Sequence, residues 1–218
     1  MIQFMESFRV IENVQLSEGT FRLRTERPDT TIRAGQCFSV GTKDLGINRE
    51  YSMYSGANDP YIDFLIREVP DGIVTPVLAQ LNVGQLVEIG GPYGDFCVDR
   101  HDLLKDEFIF IASGTGIAPF HSYVKTFPDL KYSVFHGIRK ENECYDQQSY
   151  RNGRYFPAIS QPTTQESGQY VTKLLENIEL NPLAIYYLCG NRMMITNAVK
   201  LLLSRGVPGG QILMETFF

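Results

Sequence analysis

The stretch that most constrains this chain is Glu107-Phe108-Ile109-Phe110-Ile111-Ala112, apolar throughout after its first residue, which runs straight into Ser113-Gly114-Thr115-Gly116-Ile117-Ala118-Pro119-Phe120. An uninterrupted apolar run suits a strand covered on both faces, as in a parallel sheet. Parallel strands need crossover connections, usually helical, and the residues up to about 127 read as such a helix. A glycine loop at a strand's carboxyl end that opens a helix lets a dinucleotide diphosphate reach the helix N-terminus. Position 119 is Pro, where the common dinucleotide fingerprint has Gly or Ala, so this is not the standard version.

The rest of the second half continues the alternation of strand and helix. Residues 131–137 read as the second strand and are followed by Ile138-Arg139-Lys140. No carboxylate ends that strand to receive a ribose hydroxyl; two cations stand there instead, to meet either a 2′-phosphate or water. Residues 145–170 are polar, with one short strand expected near 155–159. Residues 171–177 are helix-like, 183–188 form a buried strand ending in Cys189-Gly190-Asn191, and 193–204 form an amphipathic helix stopped by Gly206 and Pro208. A last strand at 211–215 leads to Thr216-Phe217-Phe218. Cys189 stands at a strand's carboxyl edge, where open α/β sheets bind ligands, although a thiol there is more often a small packing residue.

Before residue 100 the pattern is different. Short strand-like runs are separated by turn residues every 8–12 positions, as in a small antiparallel β-barrel. Phe21-Arg22-Leu23-Arg24 alternates apolar with basic, so Arg22 and Arg24 are expected on one outer face. Ala34-Gly35-Gln36-Cys37-Phe38 is a turn entering a buried strand. In Arg49-Glu50-Tyr51-Ser52-Met53-Tyr54-Ser55, positions 49 and 51 share a face of an extended run. Arg49 can fork onto a phosphate and Tyr51 offers a ring to stack on, with the Ser52 hydroxyl close by; an ordinary barrel strand accounts for the heptapeptide equally well. A strand at 61–69 is closed by Pro70-Asp71-Gly72. After it, Thr75 is expected as N-cap and Pro76 as the first residue of a short helix, whose free N–H groups would make an anion site. The strand at 86–89 is expected to end in the glycine-rich turn Gly90-Gly91-Pro92-Tyr93-Gly94. The change of pattern places a boundary near residue 100: a barrel domain over 1–100 and an α/β domain over 101–218.

A chain of 218 residues accommodates two modest domains. Its net charge of −5 argues against non-specific nucleic-acid binding. Four scattered cysteines and three histidines show neither iron–sulfur nor zinc spacing, so no metal is expected. No apolar run reaches membrane-spanning length and the first residues lack the basic start of a signal peptide, so the expectation is a cytoplasmic protein away from membranes.

Taken together, six motifs in order resemble the ferredoxin–NADP reductase superfamily, and within it the compact bacterial-type ferredoxin or flavodoxin reductases. Ala34-Gly35-Gln36-Cys37-Phe38 is similar to the family's P-G-Q-F turn, and Arg49-Glu50-Tyr51-Ser52 to R-x-Y-S. Residues 69–81 resemble the flavin-pyrophosphate segment, Gly91-Pro92-Tyr93-Gly94-Asp95-Phe96 resembles G-P-x-G-x-F, residues 114–119 resemble G-T-G-I-A-P, and Cys189-Gly190-Asn191 resembles C-G-N. The resemblance implies an FAD-binding antiparallel barrel followed by an NADP(H)- or NAD(H)-binding α/β domain, with hydride transfer in the cleft between them and ferredoxin or flavodoxin as electron-carrier partner to a monomeric enzyme. It assigns Arg49 to the flavin diphosphate, Tyr51 to stacking on the isoalloxazine, Ser52 to flavin N5, and Gly72, Val74 and Thr75 to the rest of the diphosphate site. Gly114, Thr115 and Gly116 would take the pyridine-nucleotide diphosphate and Arg139 a 2′-phosphate, while Cys189 and Gly190 would lie near the nicotinamide. Ser52, Cys189 and Glu215 form the implied catalytic set, and Phe217 and Phe218 the closing aromatics, Phe217 over the flavin and Phe218 toward the adenine.

The chain departs from the family pattern at Gln161, Gln169 and Tyr170, where NADP-specific relatives carry further arginines. Only Arg139 and Lys140 remain as cations, which leaves NADP against NAD open. Two other readings stand beside the reductase: the reductase component of an oxygenase or a free-flavin reductase, and a non-catalytic flavoprotein that serves as an electron-transfer part of a larger complex. For an acidic carrier, Arg22, Arg24, Arg151 and Arg154 are the nominated basic contacts.

Overall fold

The structure is a computed structural model and describes residues 5–164 and 167–217. It divides into two compact units: the chain up to Cys97 together with His121–Thr126, and Val98–Phe120 together with Phe127–Phe218.

The first unit is a six-stranded antiparallel sheet in the order β4-β3-β6-β1-β2-β5, built from β1 (Glu6–Ser17), β2 (Thr20–Glu26), β3 (Cys37–Gly41), β4 (Asn48–Ser52), β5 (Tyr61–Arg67) and β6 (Leu86–Tyr93). The strands at the two ends of that order meet: Met53, just past β4, bridges Phe64 of β5, and the Tyr54 N–H donates to the Asp63 carbonyl (2.8 Å). That contact closes the sheet into a barrel and removes its open edges. Alternate residues fill the interior, among them Phe21, Leu23, Phe38, Val40, Ile62, Phe64, Val87 and Ile89, all buried. A five-residue helix, α1 (Thr75–Ala79), is held by Asn13 of β1, whose side-chain amide donates to the Leu78 and Leu81 carbonyls (3.0 and 2.9 Å).

Arg22 and Arg24 share the outer face of β2, as expected, and carboxylates meet their charges there. Arg22 is paired with Glu12, and Arg24 forks onto the buried carboxylate of Asp63 (2.7 and 2.9 Å) while lying over the Tyr61 ring at 3.7 Å. An arginine opposite a carboxylate across a sheet is satisfied in place. The glycine-rich segment at 90–93 is not a turn that ends a strand. β6 runs on through it to Tyr93, pairing Gly90 with Ser39 and Tyr93 with Cys37, and a register shift in between absorbs the irregular residues.

The second unit is a parallel five-stranded sheet in the order β11-β10-β7-β8-β9, from β7 (Glu107–Ser113), β8 (Lys131–Ile138), β9 (Tyr155–Ile159), β10 (Ile185–Asn191) and β11 (Ile212–Phe217). Helices α2 (Ala118–Thr126), α3 (Val171–Glu176) and α4 (Arg192–Ser204) connect them. The apolar run of β7 is explained by what covers each side. Ile109 and Ile111 pack with Phe135, Leu175, Tyr186, Leu188 and Leu202 on one face. Phe108 and Phe110 build an aromatic layer on the other with Phe120, Tyr132 and Tyr187, the Phe110 and Phe120 rings stacked at 4.8 Å. β7 leads to β8 on one side and β10 leads to β11 on the other, so the paired strands β7 and β10 flank the point where the strand order reverses. Outside their carboxyl ends lies the crevice where open α/β sheets bind ligands.

Candidate functional site

In the first unit, β4 sets Arg49 opposite Val40, Tyr51 opposite Phe38 and Ser52 opposite Cys37. Residues 49 and 51 therefore share a face. The Arg49 guanidinium is exposed, bonds the Asn48 carbonyl (2.9 Å) and has no carboxylate partner among the described residues. The Tyr51 ring tilts against Phe64 (6.4 Å), and its hydroxyl is buried with no hydrogen-bond partner among the described residues. Burial pushes that hydroxyl up to about 12, against the opposing pull of Arg49. Ser52 is buried, with 4% of its surface exposed. A buried hydroxyl left unpaired costs about 1–3 kcal/mol. One beside an uncommitted guanidinium fits a ligand that brings both polar oxygens and a phosphate.

The loop after β5 folds back on its own start. The Gly72 N–H donates to the Val69 carbonyl (2.8 Å), and the Thr75 hydroxyl accepts from the Val69 N–H (2.8 Å). Thr75 is thus not the N-cap of α1. Val74 occupies that position, no side chain caps the helix, and Pro76 is the second helical residue. The reason is local: the loop returns so tightly that the Val69 N–H comes within reach of the hydroxyl. Val74 is buried, and both Val74 and Gly72 place backbone groups at this turn.

In the second unit the carboxyl edge of the sheet brings the remaining candidates together. Gly114 has φ +54°, a conformation costly for any residue with a Cβ, and starts a 3-10 turn over Gly114–Ile117 that continues into α2. No side chain caps this start. The Ser113 hydroxyl, at the capping position, instead accepts from the Asn191 N–H (2.8 Å) at the end of β10. A Cβ on Gly116 would stand 2.3 Å from the Cys189 carbonyl oxygen, so only glycine allows the turn to approach β10 this closely. Cys189 is fully buried, and burial first, with the Glu215 carboxylate second, pushes its thiol well above the usual range. It is a packed thiol, not a thiolate nucleophile. Glu215 pairs with Cys189, Thr216 with Gly190, and Phe217 with Asn191, so residues 215–217 belong to β11. Arg139 is exposed just past β8, its backbone N–H bonded to the Glu143 carboxylate (3.0 Å). Phe218 lies outside the described residues.

Sequence reasoning passes over His136. It is completely buried in β8, bonding the Gly114 carbonyl through Nε2 (2.8 Å) and the Tyr155 hydroxyl through Nδ1 (2.8 Å). Its only sequence signal is a polar residue in an apolar strand one position before Gly137. Among the described residues no cluster of His, Cys, Asp or Glu is placed to hold a metal ion, and no helix is long and apolar enough to cross a membrane.

Residues 7–97 match the family model of an oxidoreductase FAD-binding domain and residues 110–200 that of an oxidoreductase NAD-binding domain. The chain is 26% identical to the electron transfer component of toluate 1,2-dioxygenase from Pseudomonas putida, over 95% of this chain and 66% of that protein. It is 28% identical to one component of the Na+-translocating NADH-quinone reductase of Psychrobacter cryohalolentis, over 90% of this chain and 55% of that protein. The chain therefore spans less than two thirds of the length of these relatives. In fold it is similar to a ferredoxin NADP+ reductase from Neisseria gonorrhoeae solved with FAD and NADP, with a TM-score of 0.84 at 19% identity over 98% of this chain and 99% of that one. An Amycolatopsis cytochrome P450 reductase gives the same TM-score at 24% identity, over 99% of this chain and 71% of that one.

An antiparallel barrel that takes FAD, followed by a parallel α/β domain that takes a nicotinamide dinucleotide, defines a class of two-domain redox proteins. Within that class, the chain belongs to the ferredoxin–NADP reductase superfamily.

Proposed function

We propose that this chain is a flavoenzyme that passes hydride between NAD(P)H and FAD and single electrons between FAD and a small carrier protein such as a ferredoxin or flavodoxin. The observation that carries the flavin part is the buried Tyr51 hydroxyl, with no hydrogen-bond partner among the described residues, beside an Arg49 guanidinium that meets no carboxylate among them. Bound FAD supplies the chemistry of exchanging a hydride for single electrons.

The protein's part is positioning. Arg49 would hold the flavin diphosphate, the backbone at Gly72, Val74 and Thr75 would complete that hold, and Tyr51 would offer its ring for stacking. Ser52 presents a hydroxyl to ring atom N5, and a group that both donates and accepts suits a nitrogen that gains and loses a proton. In the second unit, the uncapped start of the Gly114–Gly116 turn takes the nucleotide diphosphate. Gly190 and the packed Cys189 floor the nicotinamide end, Glu215 stands beside them in β11, and Phe217 at the same edge is the gate the nicotinamide displaces. Arg139, exposed past β8, is the reader of a 2′-phosphate, so NADPH is the favoured donor.

The similarity to the toluate dioxygenase component favours a second reading, in which an oxygenase is the electron acceptor. With Arg22 and Arg24 committed to carboxylates, and Arg151 bonded to the Pro128 carbonyl and facing Asp129, Arg154 is the nominated basic residue left for an acidic carrier. Anaerobic stopped-flow reduction of the purified yellow protein, NADPH against NADH, tests the proposal. Rapid bleaching of the flavin with preference for NADPH is expected. A colourless protein that takes up no FAD, or bound FAD that neither nucleotide bleaches, would refute it.

A further inference from the structure

The His136 contacts reach the nucleotide loop from behind. The Gly114 carbonyl can only accept, so the 2.8 Å contact requires a proton on Nε2. Burial holds the imidazole at about 4, far below its usual value, so it is neutral near pH 7 and Nδ1 carries no proton. Nδ1 must then accept from the Tyr155 hydroxyl at 2.8 Å. Donation therefore runs one way, from Tyr155 through His136 to the Gly114 carbonyl. Both ring nitrogens are committed, and a single tautomer fits.

The consequence lies in the peptide that follows Gly114. In a trans peptide the carbonyl and the next N–H point in opposite directions. Drawing the Gly114 oxygen inward toward His136 therefore turns the Thr115 N–H outward. Gly114 has no Cβ, and nothing lies within 4 Å of where one would be. A residue that adopts positive and negative φ with similar ease puts little resistance in the way of flipping that peptide, so the directed bond from His136 adds to the hold of the 3-10 turn, whose ladder uses the same carbonyl.

We propose that His136, held in one tautomer by Tyr155, is the positioning residue of the pyridine-nucleotide site: its bond to the Gly114 carbonyl fixes the Gly114–Thr115 peptide so that the Thr115 N–H faces the dinucleotide diphosphate. The proposal rests on the reading that the Gly114–Gly116 loop takes that diphosphate. His136 does not touch the nucleotide.

The test uses the full chain carrying its FAD. NADP+ and NAD+ are titrated by calorimetry, and NADPH and NADH turnover is followed with ferricyanide as acceptor. His136→Phe keeps the ring volume and loses both bonds. It should raise Kd and KM for the preferred nucleotide by about tenfold, as the loss of one directed hydrogen bond at a binding loop predicts, with kcat and FAD content changed less than about threefold. His136→Gln places an amide N–H near the Nε2 position and should recover most of the affinity. Tyr155→Phe frees the tautomer and should give a smaller rise, and the double variant His136→Phe/Tyr155→Phe should be no worse than His136→Phe alone. Unchanged Kd in His136→Phe, or a Gln variant as weak as the Phe variant, overturns the proposal. If His136→Phe does not fold, an unchanged Kd in Tyr155→Phe overturns it alone. Wild-type protein that binds neither nucleotide refutes the reading of the loop itself, seen before any variant is made, and the positioning role falls with it.

Discussion

In the function proposed here, the two units meet their ligands with different parts of the chain. On β4 the recognition elements are side chains: a guanidinium without a carboxylate, an aromatic ring and a buried hydroxyl with no partner among the described residues. At the carboxyl edge of the second sheet they are backbone groups at the start of a turn that no side chain caps, the Ser113 hydroxyl being spent on Asn191. A side-chain site tolerates substitution one group at a time, since each contact is lost separately. A backbone site depends on the path of the chain, so one added methyl group can damage all of it.

The most severe break in that comparison is Gly116→Ala. Its Cβ would collide with the Cys189 carbonyl at 2.3 Å, and backbone on both sides leaves nowhere to give. Pyridine-nucleotide affinity should fall by more than about 100-fold with about 3 kcal/mol of stability lost, as overpacking against rigid atoms does, while FAD stays bound. Calorimetric titration, flavin absorbance and urea unfolding read the three effects, and nucleotide affinity near wild type would remove the distinction between the units.

Acid sharpens the contrast next. Above pH 6.5 His136 is neutral in folded and unfolded chains alike. As pH falls from 6.5 toward 4, the unfolded chain takes up a proton that the buried imidazole refuses, so stability declines across that window. A shift from 6.5 to about 4 corresponds to about 3 kcal/mol. Urea midpoints at pH 7 and pH 4 should therefore differ less in His136→Gln than in the wild type by about that amount.

Arg49→Ala removes a charge-assisted contact worth about 1.5–3 kcal/mol, so FAD should bind about 10- to 100-fold more weakly. Lysine should not restore it, because a point charge lacks the bidentate fork. Flavin fluorescence on dilution measures the release, and pyridine-nucleotide affinity should hold. The smallest expected effect is that of Ser52→Ala: FAD stays bound, and single-turnover hydride transfer slows by at least about tenfold. A wild-type rate would separate Ser52 from the chemistry.

Legibility follows the same division. Gly114 and Gly116 are readable as a loop because glycine is chosen there for backbone reasons that act locally. β9 is readable because its residues carry a short strand between polar flanks, the later one holding Pro162. Thr75 misleads because a hydroxyl near a helix start has two places to go, and the return of the loop to Val69 decides between them. Arg22 and Arg24 look like a wet basic face in sequence because their partners, Glu12 and Asp63, come from neighbouring strands. His136 gives no usable signal, since its carbonyl partner is 22 residues earlier and its hydroxyl partner 19 residues later.

By itself the sequence determined the kind of element at most stretches and the change from barrel to parallel sheet, because strand period, apolar runs and glycine turns depend on neighbours a few positions apart. Which polar groups meet was decided only by the tertiary structure. Hydrogen bonds and ion pairs depend on distances of about 3 Å between residues far apart in the chain, and those distances come into being only when the strands that carry them lie side by side.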